Sequence, residues 1–163
     1  MIPIRFTSLS LALLLISAPA GALDLTGTWA GKFNCSSFGG ATFPFVEKNQ
    51  SLKISQTGNE LSVRWLDVNN VIAANFTGFV INDNKKRDTN GQAAIANCTT
   101  GPDLTSTIAE IANLKVVINR SKAKGSLTGN SIYSSKGQAV GQCKWTFKLV
   151  NTDDPLIPST CPQ

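Results

Sequence analysis

Apolar and polar residues alternate along most of this chain with a period of two, the signature of half-buried β-strands. The stretch from Asp24 to Cys35 sets the pattern: Trp29, Gly31, Phe33 and Cys35 fall on one face, and Thr28, Ala30, Lys32 and Asn34 on the other. Leu52 and Ile54 alternate with Lys53 and Ser55, a turn follows at Thr57-Gly58-Asn59, and Leu61, Val63 and Trp65 alternate again. These two runs predict a hairpin. Further strands are predicted over 71–81, 92–98, 114–118, 125–133 and 143–150. The last is the clearest, with Cys143, Trp145, Phe147 and Leu149 facing one way and Lys144, Thr146 and Lys148 the other. Asn90-Gly91 is a strong turn dipeptide.

One segment departs from the pattern. Thr107-Ile108-Ala109-Glu110 fits a capping box behind Pro102-Asp103, which predicts a short helix near 103–112, with a strand extension or ordered loop as the alternatives. Elsewhere about eight short strands separated by turns predict an all-β fold. An antiparallel up-and-down barrel is the preferred arrangement, because closure removes exposed strand edges. A β-sandwich is the alternative.

The two ends of the chain are different in kind. Arg5, the apolar run Leu9 to Ile16 and the small residues of Ala20-Gly21-Ala22 predict a signal peptide over 1–22. The run is too short to span a bilayer. The domain is then 23–150, and 151–163, with Pro155, Pro158 and Pro162, is an extended tail. The expected location is secreted or periplasmic. There Cys35, Cys98, Cys143 and Cys161 read as two disulfides. If the first and last strands pair, Cys35–Cys143 with Cys98–Cys161 is reachable, and so is Cys35–Cys98 with Cys143–Cys161. Pairing Cys35–Cys161 with Cys98–Cys143 asks more, because the strands bearing Cys98 and Cys143 are not neighbours.

The opening Gly27-Thr28-Trp29 resembles the Gly-x-Trp signature of the calycin barrels, the lipocalins and avidins. In those families it starts the first strand and the Trp plugs one end of the barrel. Leu25-Thr26-Gly27, Phe76-Thr77-Gly78 and Leu127-Thr128-Gly129 are similar to the strand starts of avidin hairpins. The resemblance implies a barrel and, by analogy, a small ligand inside it. The sequence also departs from the families. Lipocalins place an Arg near the end of the last strand, where this chain offers only Lys144 and Lys148, and the biotin contacts of avidins do not map onto it. The chain as a whole is similar to small exported bacterial proteins, which implies export and fold and carries no activity.

Composition narrows the chemistry. There is no histidine, which removes Ser-His and Cys-His nucleophile activation and His-ligated zinc. Asn82-Asp83-Asn84 lacks the closing Glu of a calcium loop and is followed by Lys85, Lys86 and Arg87, so no metal or other cofactor is expected. The net charge of +5 is too small to imply nucleic acid. In an up-and-down meander, Lys85, Lys86 and Arg87 share the Trp29 end with Arg120, Lys122 and Lys124, a basic rim suited to an anionic surface. Trp29, Phe33, Trp65, Trp145 and Phe147 are the expected barrel core, or the wall of a ligand site. The functional expectation is an exported binding module, not an enzyme, for a small apolar ligand in the barrel. The alternatives are an interaction or inhibitor protein acting through surface loops, and a barrel filled by its own side chains.

Signal peptidase needs small residues at Ala20 and Ala22, so the exported protein should begin at Leu23. Intact mass of exported protein checks this; a form retaining residues 1–22 in a membrane fraction would contradict it.

Overall fold

The computed structural model describes residues 23–38, 44–83, 90–98, 108–135, 138–158 and 161. The expected signal peptide and Lys85, Lys86 and Arg87 lie outside these residues. Eight strands follow in order: β1 Gly27–Ser37, β2 Pro44–Thr57, β3 Glu60–Leu66, β4 Ile72–Asp83, β5 Asn90–Asn97, β6 Ile108–Asn119, β7 Lys124–Ser135 and β8 Gln138–Asn151. Each pairs antiparallel with the next, and β8 returns to β1, closing an up-and-down barrel. The barrel preferred from the sequence forms, and the alternative sandwich does not, because β1 and β8 satisfy each other's edges. One sequence expectation changes. The helix near 103–112 is not present in its described part, which belongs to β6; residues 103–107 lie outside the described region. From Ala112 to Ile118 every second residue of β6 is buried, so the β-period overrides the local capping signal. The one helical turn among the described residues is a 3₁₀ turn, Arg120–Lys122, between β6 and β7.

The alternation read from the sequence is the alternation of the barrel wall. Leu52, Ile54, Leu61, Val63, Leu114, Val116 and Leu127 are buried within it, together with Trp29, Phe33, Trp145 and Phe147. Lys32, Lys53, Lys144 and Lys148 occupy intervening positions on the outside of the wall. Among the described residues, no helix is long and apolar enough to cross a membrane.

The Trp29 end is closed by the chain's own N-terminal segment. Trp29 is completely buried, and its indole Nε1 donates to the Leu25 carbonyl at 3.0 Å. A Cβ built on Gly125 would stand 3.0 Å from that ring, so a side chain at position 125 would press on the indole. Leu23 and Leu25 are buried over the Trp, and Gln56 fixes their backbone by accepting from Leu25 N and donating to Leu23 O. Arg120 then clamps three stretches of chain. Its guanidinium donates to the carbonyls of Asp24, Thr26 and Thr152 and pairs with the Asp24 carboxylate at 3.2 Å.

Both disulfides are formed: Cys35–Cys143 and Cys98–Cys161. The first joins register partners across the β1–β8 seam, with Cα atoms 4.0 Å apart. The second is reached by the tail, which leaves β8 and lies along the outer face of β2. There Ser55 donates to the Asp154 carboxylate and accepts from Ile157 N. The Ser55 hydroxyl, with the Leu156 N–H, holds the Asp154 carboxyl below its ordinary pKa.

Replacing a fully buried Trp leaves a large cavity, so Trp29→Ala should destabilise by about 3–5 kcal/mol, whereas exposed Lys144→Ala should stay within about 0.5 kcal/mol. Chemical denaturation of both variants measures the contrast; equal small effects would mean that Trp29 is not the plug.

Candidate functional site

The end of the lumen opposite Trp29 is built differently. At mid-barrel the Phe33 ring lies edge-on to three others, with centroids 4.7 Å from Trp145, 4.8 Å from Trp65 and 5.1 Å from Phe147. Phe76 adds a fourth edge-to-face contact, 5.5 Å from Trp145. Such pairs contribute roughly 0.5–1.5 kcal/mol each beyond the area they bury. Aromatic side chains therefore fill the middle of the lumen and form the floor of the mouth above it.

A polar layer stands on that floor, because each buried indole N–H needs an acceptor. Trp65 Nε1 donates to Gln50 Oε1 at 2.6 Å, and Gln50 Nε2 donates to the Lys48 carbonyl. Trp145 Nε1 donates to Ser131 Oγ at 2.9 Å, and Ser131 in turn donates to the Glu110 carboxylate. Ser131 is fully enclosed, so this relay holds Glu110 against the aromatic floor. Asn97 supports the same residue by accepting from Glu110 N at 2.9 Å.

Glu47 joins the layer through an irregularity of the strand. In the β1–β2 pairing Gly31 faces Gln50 but Phe33 faces Glu47, so Lys48 and Asn49 together oppose Lys32. Asn49 takes the left-handed conformation, φ 56°. The extra residue reverses the alternation, which lets Glu47 and Gln50 lie on the same inner side. Re-aiming a side chain is a common consequence of a β-bulge. Tyr133 completes the rim. It is the register partner of Glu110 on β6 and of Gly141 on β8, and a Cβ at 141 would collide with its hydroxyl.

Two carboxyls border this layer. Burial pushes the Glu110 carboxyl above its ordinary pKa; the Ser131 and Trp145 hydrogen bonds oppose this and the Glu47 charge adds to it. Glu47 is also raised, first by burial and then by Asp67. Among the described residues neither carboxylate has a Lys or Arg partner; the ion pair there is Arg120–Asp24, at the other end. Nor do the described residues contain a group of three or more His, Cys, Asp or Glu placed to hold a metal ion.

The expected core residues separate into two groups. Phe33, Trp65, Trp145 and Phe147 meet in one aromatic cluster, and Trp29 stands apart in the closed end. The expected basic rim is partly used internally: Arg120 turns onto backbone carbonyls, while Lys122 and Lys124 are exposed. Sequence reasoning missed Glu47, Gln50, Glu110, Ser131 and Tyr133. Glu110 had a signal, since the alternation of Ala112, Leu114, Val116 and Ile118 extends back onto it. Glu47 had none, because the bulge that turns it inward leaves no mark in the pattern.

A carboxyl with a raised folded pKa binds its proton more tightly folded than unfolded, so its contribution is full below the ordinary value near 4.5 and is lost as pH rises through the raised one. The barrel should therefore lose stability across that window, and Glu110→Gln should remove much of the slope, leaving the part due to Glu47. Denaturation midpoints measured from roughly pH 4 to 8 check this; an unchanged slope in the variant would place Glu110 in water.

Compared with known proteins, the chain matches no family model, no curated protein and no solved structure.

Proposed function

We propose that this protein is an exported binding module that takes a small ligand at the barrel mouth, above Phe33 and between Trp65, Glu110 and Tyr133. The calycin-like opening of the sequence supports the same reading, as do the two disulfides, which suit a secreted or periplasmic location. The observation that carries it is the contrast between the two ends. One is sealed by Leu23, Leu25 and the Arg120 clamp. The other sets half-buried carboxylates on an aromatic floor, an arrangement that costs folding free energy and marks candidate functional sites. Because aromatic rings occupy mid-lumen, the ligand sits in the mouth and does not thread the barrel. A binding role is favoured over an enzymatic one: the chain lacks histidine, and Ser131, whose hydroxyl donates to Glu110, is fully enclosed and out of reach of a substrate.

A second reading has its own observation. Phe79 and Ile111 stand exposed on the outer wall with Ala94 and Ala96 between them, a shallow apolar trough suited to a partner protein.

Native mass spectrometry of protein purified from its own host distinguishes the two. A small retained mass that is lost in Trp65→Ala and kept in Phe79→Ser supports the mouth. Retention of a protein partner that depends on Phe79 supports the wall and overturns the mouth.

A further inference from the structure

We propose that the ligand of the mouth is a small organic cation, a protonated amine or quaternary ammonium. Its charge is met by Glu110 and Glu47, and its apolar body lies against Trp65. This rests on the mouth being the binding site and adds the class of molecule that enters it.

Three features of the site converge on this chemistry. The first is uncompensated charge. Glu47 is the register partner of Phe33 and Glu110 is held by the Ser131–Trp145 relay, so both border the aromatic cluster although their strands lie on different sides of the barrel. Lys144 and Lys148 are exposed and Arg120 is engaged at the far end, so no described base neutralises them. Carboxylates without a described basic partner attract an arriving cation and disfavour an anion.

The second feature is the hydrogen-bonding inventory. The donors of the two indoles are already taken, Trp65 by Gln50 and Trp145 by Ser131, and the Ser131 hydroxyl is given to Glu110. The carboxylates are acceptors only. Apart from the Tyr133 hydroxyl the layer offers mainly acceptors, so a ligand that brings its own N–H donors or positive charge fits it better than one that needs donors.

The third is the rings themselves. Trp65 is partly buried and flanks Phe33 at 4.8 Å, so ring surface borders the acidic layer. A cation within about 6 Å of a Trp or Tyr face gains further attraction. A divalent metal ion is a poorer fit, since hard cations take six or more oxygen ligands and no described acidic group of three exists here.

The test titrates the full mature chain with 2-phenylethylammonium, 2-phenylethanol and phenylacetate, three probes of similar size and different charge, followed by amide chemical shifts. The ammonium should move mouth resonances, those of Glu110, Ser131, Trp65 and Tyr133, and bind about tenfold or more tightly than the alcohol, with phenylacetate weakest. Glu110→Gln keeps an acceptor for Ser131 and should remove most of the ammonium's advantage over the alcohol; Glu47→Gln is the second variant and should remove a smaller part of it. Lowering the pH should weaken the ammonium and leave the neutral alcohol unchanged, as Glu110 and Glu47 protonate; among the described residues Lys48 and Asp67 are charged neighbours of Glu47, and Tyr133 is the register partner of Glu110. Equal affinity for ammonium and alcohol at the mouth, or no change in either Gln variant, overturns the cation and leaves the mouth as the site. If no probe moves the mouth resonances, the mouth reading fails and the cation falls with it.

Discussion

Everything in this molecule depends on β1 closing onto β8. Pairing from Thr28↔Asn151 to Ser37↔Gly141 removes the two edges that a meander of eight strands would otherwise expose. It also defines an inside. Trp29, Phe33 and Cys35 on β1 meet Leu149, Trp145 and Cys143 on β8 across the seam, so one strand pair runs the length of the lumen from the plug to the mouth. The Cys35–Cys143 disulfide fastens that seam at the mouth end, and by the chain-entropy argument a bridge closing so long a loop contributes about 4–5 kcal/mol. Cys143 is also the register partner of Ser131, so the bridge stiffens the strand pair that carries the Trp145–Ser131–Glu110 relay.

Closure leaves two ends, and the chain treats them oppositely. At one, backbone carbonyls of Asp24, Thr26 and Thr152 converge on a single guanidinium, and the N-terminal residues are drawn in as apolar cover. Arg120 thus supplies a cation at the Trp29 end, where the resemblance to lipocalins leads one to look on the last strand. It comes instead from the connection between β6 and β7, and it binds carbonyl oxygens. At the other end the requirement to satisfy two indole N–H groups imports Gln50 and Ser131 into the lumen, and Ser131 brings Glu110 with it. Two half-buried carboxylates with no basic partner among the described residues oppose folding, whereas an apolar pair there would favour it. The rigidity needed to tolerate them is supplied by the aromatic cluster beneath and the disulfide beside them.

The tail adds a second constraint of the same kind. It leaves β8 at the closed end, lies on Ser55 of β2 and is fastened to Cys98, beside the end of β5 toward the mouth. Both disulfides therefore tie chain at the mouth end, while the closed end relies on packing and on the Arg120 clamp.

The sequence by itself determined most of the strands, the inward faces of β1, β3, β8 and the end of β2, and the all-β class, because a period of two is a local property and one slipped residue would turn a whole strand inside out; residues 44–51 of β2 were not legible in it. It determined the disulfide count and, given closure, the short list of pairings. It placed Phe33, Trp65, Trp145 and Phe147 inside together. The tertiary structure alone decided which pairing forms, because the choice depends on where the tail crosses the wall. It alone decided that residues 108–112 extend a strand, since pairing with β5 and β7 outweighs a local capping signal. It alone assembled the mouth: Glu47 is turned inward by a bulge that only the register reveals, and Glu110 meets Ser131 and Trp145 only once β6, β7 and β8 lie side by side. Local pattern carries orientation within a strand, whereas a site made of single residues from separate strands exists only after they are brought into register.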